Sequence, residues 1–234
     1  MINIKIADIV VGIDNRHRHI EWLARDYITD EAAEFTVSAT DDDLVKEASM
    51  SDIKYSDGYL ESVVVYRKIA ERLPMYDACV FHGAVLSLDG KGYAFTARSG
   101  VGKTTHTRLW LQQFGERAYY INGDKPIIRF IDGVPMVYGT PWMGKESYGR
   151  NTSCPLVGIA FLARGVENTA NPASADEVSS LLVSQVYIPK NAHTAIRALS
   201  LCDRILERVR LIRLNCNMDI SAARVAASAF GIAE

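Results

Sequence analysis

The stretch Ala97-Arg98-Ser99-Gly100-Val101-Gly102-Lys103-Thr104-Thr105 gathers the residue types that hold a polyphosphate. Its spacing is that of G-x-x-x-x-G-K-[ST], with Ala97 in place of the first glycine. Gly100 and Gly102 allow positive φ and a close approach of backbone to phosphate oxygens. Successive N–H groups can then form an anion nest, and a helix starting at Lys103 adds free donors and the positive end of its dipole. Lys103 supplies a cation for the β- and γ-phosphates, and the Thr104 hydroxyl suits Mg²⁺. A Gly-rich turn capping a helix would explain the glycines. It would not explain a lysine at a helix start, where a cation opposes the dipole. Ser99, Gly100, Val101, Gly102, Lys103, Thr104 and Thr105 are therefore the candidate ligand-binding residues.

A second set of groups converges on this loop through the elements around it. Asp89-Gly90-Lys91-Gly92 is a hairpin signal between an apolar run, Cys79 to Leu88, and a returning strand, Tyr93 to Ala97. Two registers are open. With Gly90-Lys91 as the turn, His82 falls opposite Ser99; shifted by one residue, His82 falls opposite Ala97. Either way His82 lies beside the loop, as a core histidine or as a group near the phosphates. A helix from Lys103 to about Phe114 is expected, burying Leu109, Trp110 and Phe114 and stopped by Gly115. A strand from Ala118 to Ile121 then completes a βαβ unit with the loop strand. Ligands sit at the carboxyl ends of such strands, which is where Asn122-Gly123-Asp124 falls. Asp124 is thus a candidate for catalysis and for the metal, against the alternative of a plain turn before Pro126. Gly139 to Pro155 is long for a connector and rich in Gly, Trp and charge. If the strand Val157 to Leu162 joins the same sheet, this loop folds over the phosphates. Lys145, Glu146 and Arg150 are then candidates for the γ-phosphate or the acceptor, with a solvated loop as the alternative.

The other elements serve as scaffold. Residues 1–74 form a small α+β lobe, and 75–234 the core with C-terminal helices. Ile2 to Ile13 and Glu34 to Ala39 alternate as strands. Thr40 to Asp43 reads as a turn, and Ser56 or Asp57 caps a helix from Tyr59 to Leu73 that Pro74 ends. Arg16-His17-Arg18-His19 reads as a surface loop. Pro126 to Ile131 and Val134 to Tyr138 form a hairpin about Asp132-Gly133. Helices are expected over Ala175 to Gln185, Asn191 to Val209 and Ile220 to Phe230, with an edge strand at Leu211 to Asn215.

Composition sets the limits. The chain has 234 residues, 48% hydrophobic and 23% charged, with net charge −2. That is ordinary for a soluble globular protein and gives no bulk attraction to nucleic acid or membrane. No apolar run reaches membrane-spanning length, and the N-terminus lacks a cleavable signal pattern. Cys79, Cys154, Cys202 and Cys216 are scattered without metal spacing, so reduced structural thiols in a cytoplasmic protein are expected.

Taken together, Phe81-His82-Gly83-Ala84-Val85-Leu86, the phosphate loop and Gly123-Asp124 resemble the C-terminal domain of HPr kinase/phosphorylase, which shares its fold with ATP-dependent phosphoenolpyruvate carboxykinases. The chain is more similar still to the HPr-kinase-related proteins of bacteria, through Thr105-His106-Thr107-Arg108-Leu109-Trp110, Gly123 to Pro126 and Gly139 to Glu146. The resemblance covers about residues 75–190. It implies a mixed α/β phosphate-loop core and an ATP·Mg²⁺-dependent phosphotransferase. In it His82 lies near the transferred phosphate, and an acidic pair supplies base and metal contact. Here that pair is Gly123-Asp124, so a single carboxylate is left. The related group implies a hydroxyl acceptor such as free serine or a peptide serine, and HPr kinases imply a homo-oligomer. The competing readings are a nucleotide-binding regulatory or peptide-binding protein with little turnover, favoured by Gly123, and a carboxykinase-like lyase, for which the chain is short and lacks a ligand set.

Overall fold

A computed structural model describes residues 1–98 and 100–232, so the predicted ligand-binding residue Ser99 lies outside the described residues. Ile2–Ile6 (β1) and Ile9–Asp14 (β2) pair antiparallel. The single strand expected from Ile2 to Ile13 is thus a hairpin. Its turn, Ala7-Asp8, has φ of 50° and 56° without a glycine to announce it. After the short helix Arg18–Leu23 (α1), Phe35–Ser38 (β3) runs parallel to β2. The acidic triplet expected in a turn opens a helix, Asp41–Ala48 (α2). The Thr40 hydroxyl accepts from Asp43 N and the Asp43 carboxylate accepts from Thr40 N, a capping box. Three carboxylates in that first turn suit the helix dipole. Ser56 caps Asp57–Arg72 (α3), which runs on through a 3₁₀ turn containing Pro74 to Asp77.

The expected strand Cys79 to Leu88 is divided. Ala78–Val80 (β4) and Ala84–Leu88 (β5) belong to different parts of one sheet. β5 pairs with Lys91–Thr96 (β6) around Asp89 and Gly90, at φ 51° and 77°, the geometry of a tight hairpin turn. Leu88 opposes Lys91 and Ala84 opposes Phe95, the second of the two registers considered, and the ladder ends there, two residues short of His82. The helix Lys103–Phe114 (α4) has the expected bounds, with Gly115 at φ 54° after it. Ala118–Asn122 (β7) follows. It pairs antiparallel with β5, and β6 lies on the other edge of β5, so the βαβ unit has a third strand inserted in it. β6 and β7 still run the same way and end at the same edge of the sheet.

Ile127–Ile131 (β8) and Val134–Tyr138 (β9) form the expected hairpin. Ser153–Arg164 (β10) is the longest strand; it joins β9 antiparallel and then β6 parallel. Thr169–Pro172 (β11), Ala175–Val183 (α5), Ala192–Arg208 (α6), Arg210–Cys216 (β12) and Ser221–Ala229 (α7) complete the chain. β12 lies between β10 and β11, so it is an interior strand; polar β11 supplies the edge that leaves no apolar trace in the sequence. The described residues therefore make a mixed α/β protein with a nine-stranded sheet in the order β4-β8-β9-β10-β6-β5-β7, extended by β12 and β11 from β10. α4 and α7 cover one face through Trp110, Ala223 and Ala226, and α5 and α6 cover the other through Val178, Leu182 and Ile205. A third apolar cluster runs from Ile4 and Ile13 through Val65 and Ile69 of α3 to Ile127, Tyr138 and Trp142. Cys79, Cys154, Cys202 and Cys216 are free thiols. Among the described residues no helix is long and apolar enough to cross a membrane.

Candidate functional site

The loop after β6 turns through Gly100 (φ 79°) and Gly102 (φ 122°) into α4. Gly102 is the N-cap and has no side chain to offer, and the first turn of α4 carries no acid. The first N–H groups of a helix have no intrahelical acceptors, so these donors are left for a ligand. Lys103 Nζ donates to Ala97 O at 3.2 Å, folding back along the loop. Burial pushes its pKa down, and Asp124 opposes that. The helix is fixed beneath by Trp110, fully buried against Phe95 of β6, whose Nε1 donates to His106 Nε2 at 3.0 Å. Thr107 Oγ1 bonds back to Lys103 O and meets Tyr120 Oη at 2.7 Å, tying α4 to β7.

Asp124 is set by an Asx turn. Asn122 Oδ1 accepts from Asp124 N and Lys125 N, both at 2.8 Å. The Asn122 amide is buried and donates to Thr140, while Thr140 Oγ1 and Tyr66 Oη both donate to Lys125 O at 2.8 Å. The turn is thereby gripped from α3 and from the segment after β9. Asp124 Oδ1 lies 3.5 Å from His82 Nε2, and Oδ2 lies 3.3 Å from Lys125 Nζ. The backbone of His82 is held by Gln185 O and Thr96 Oγ1. Burial first, and then Lys103, lower the His82 pKa against the pull of Asp124. The imidazole therefore meets Asp124 in its neutral form at pH 7.

Residues 139–152 fold back over this edge. Gly123 N donates to Tyr148 O at 2.7 Å, and Arg150 N donates to Ile121 O at 3.1 Å. The Tyr148 ring stacks on Tyr120 at 4.7 Å, and Arg108 reaches Tyr148 Oη at 3.0 Å and Glu146 at 3.3 Å. Trp142 stacks on Tyr66 at 4.0 Å and donates to Ser62 O. The result is a cleft of about 630 Å³ lined by His82, Gly100, Gly102, Lys103, Thr104, Thr105 and Asp124, with Lys145 and Glu146 across from them. His19, Tyr59 and Val63 close it from the side of α1 and α3. Val101 faces away, toward the neighbouring cavity. Arg150 does not line the cleft; its guanidinium lies over the Tyr119 ring at 4.7 Å. Glu146 is there as the ion partner of Arg108, which cancels part of its charge.

Lys125, Tyr148 and the Asn122–Thr140 pair are site residues that sequence reasoning missed. The Asx signature of Asn122 was a readable signal for the last; nothing in the sequence marks Tyr148. Gly123 has a steric explanation. A Cβ there would stand 3.1 Å from Tyr148 O and 3.2 Å from Met143 O, so loop backbone fills the space of a first carboxylate. Among the described residues no group of three or more His, Cys, Asp or Glu gathers to hold a metal. On the loop side the cleft does offer the Asp124 carboxylate and the Thr104 hydroxyl, while Glu146, across from them, is paired with Arg108. This fits Mg²⁺, which takes one or two protein oxygens and fills its shell with phosphate and water.

No protein-family model matches the chain, and no curated protein matches it. Among solved structures, the Hpr(Ser) kinase/phosphatase from Coxiella burnetii is similar with a TM-score of 0.37 at 8% identity, over 64% of this chain and 88% of that one.

Proposed function

We propose that the protein is an ATP·Mg²⁺-dependent phosphotransferase acting on a hydroxyl acceptor, such as free serine or a peptide serine, with a phosphate-binding loop at residues 97–105. The observation that carries this reading is one shared cleft. The uncapped start of α4 and Lys103 face into it, and so does the Asp124–His82 pair. Loop N–H groups and Lys103 hold the β- and γ-phosphates. Asp124 and Thr104 are the residues for Mg²⁺, which when bound neutralises phosphate charge. Asp124 orients the acceptor hydroxyl and takes its proton, and neutral His82 holds the Asp124 carboxylate in place. The hydroxyl oxygen bonds to the γ-phosphorus as the bond from that phosphorus to the β-bridging oxygen breaks, leaving ADP and a phosphoester. Lys145 offers its charge to the transferred group. Arg150 has no part in this scheme.

The test is transfer from Mg·ATP to free serine and serine peptides, read by mass spectrometry, with ATP affinity measured in parallel. Lys103→Ala should abolish binding or turnover. Asp124→Asn should keep binding and lose about 10²-fold or more in turnover. Unchanged affinity and activity in Lys103→Ala would overturn the assignment. The second reading, a nucleotide-binding protein without transfer, is favoured by the single carboxylate at Gly123-Asp124. Tight ATP binding with no product across the acceptors would select it.

A further inference from the structure

A second cavity, of about 780 Å³, lies behind the loop at the carboxyl ends of β6, β10 and β12. Its place in the topology is informative. The chain leaves β6 through α4, which covers one face of the sheet, and leaves β10 toward α5, which covers the other. Ligands in α/β sheets bind in the crevice that opens at such a reversal. Val101, Phe161 and Leu181 give the cavity apolar walls, and Arg98, Arg164 and Arg213 stand at its rim. No Asp or Glu lines it among the described residues. Arg164 is bound to the back of the loop, donating to Gly100 O at 2.6 Å and Val101 O at 3.4 Å. The cavity adjoins the first cleft: Thr96 Oγ1, which lines it, donates to Gln185 Oε1 at 3.1 Å and to the carbonyl of His82, which lines the cleft, at 2.9 Å.

We infer that this cavity holds the nucleoside part of the nucleotide whose phosphates lie on the loop. The inference rests on the nucleotide reading of the first cleft. An apolar slot rimmed by guanidinium planes suits a purine, since arginine stacks on aromatic faces. The volume is in the range of small-molecule sites.

Calorimetric binding of Mg·ATP and of inorganic tripolyphosphate, which has no nucleoside, separates the two sites. Wild-type protein should bind ATP the more tightly. Ser184→Trp, at an exposed position at the end of α5, fills the cavity; Arg213→Ala removes one rim cation. Both should weaken ATP by about tenfold and leave tripolyphosphate unchanged, which also shows that the variants are folded. ATP affinity unchanged in both variants overturns the inference while leaving the loop assignment standing. An equal loss for both ligands in Arg213→Ala overturns it as well. Wild-type protein that binds neither ligand overturns the nucleotide reading, and this inference with it.

Discussion

His106 shows what one buried side chain does to the pH response of the whole fold. It is 1% exposed, its Nε2 accepts from Trp110, and its Nδ1 has no partner among the described residues. Burial pushes its pKa from 6.5 down to about 4. As pH falls through 6.5 the unfolded chain gains a proton here and the folded chain does not, so stability falls between pH 6.5 and about 4 and levels off below. The loss approaches about 3 kcal/mol. Denaturant titrations across that range should show the slope, and His106→Phe should lack it. Gly123 makes the matching prediction for the cleft. Gly123→Asp should not install a second working carboxylate, because its Cβ meets Tyr148 O and Met143 O. It should instead push the 143–148 segment outward, seen as faster proteolysis there and no gain in turnover. Gly100, Gly102 and Lys103 were legible as a group, since they have the types that a phosphate demands, and the structure lines one cleft with them. His82 was legible only as a neighbour of the loop; its place beside Asp124 depends on the bond of its N–H to Gln185 O, which no hairpin register reveals. Arg150 was not legible, because its position depends on Tyr119, which no spacing rule connects to it.

At the scale of elements, the cleft depends on a segment without regular structure. Residues 139–152 are held by Trp142 against Tyr66 and by a close backbone crossing at Gly139, where a Cβ would stand 1.8 Å from Arg150 O. Trp142 is 7% exposed. Trp142→Ala should cost about 3–5 kcal/mol by chemical denaturation and loosen Asp124, since the same segment carries Thr140. The hairpin of β8 and β9 and the helix α4 could be read directly, from Asp132-Gly133 and from Gly102 and Gly115. The turn of β1 and β2 could not, because it uses Ala7 and Asp8 at positive φ. α2 was hidden by its own cap, since Thr40 and three aspartates favour turns as readily as helix starts. β11 was hidden because its residues are mostly polar or exposed, without alternation.

At the scale of the molecule, residues 1–74 share an apolar cluster with the sheet. Val65 and Ile69 meet Ile127, Tyr138 and Trp142 in one contiguous group. A chain beginning at residue 75 should therefore lose cooperative thermal unfolding and bind an apolar dye, whereas an independent core would melt sharply without it. The placement of β10 has a consequence in time as well as in space. Phe161 pairs with Thr96 on one side and with Arg213 on the other, so this strand joins partners far apart in sequence. Parallel pairings of that span form only after long chain closures, while β5 and β6 meet across a two-residue turn. Pulsed hydrogen exchange during refolding should protect the β5–β6 amides before those of β10; simultaneous protection would contradict this order. During synthesis, the loop at 97–105 leaves the ribosome long before Ser153–Arg164, the strand that flanks it. The cleft is thus encoded early and completed late, and a nascent chain has its full walls only after β10 has emerged and paired.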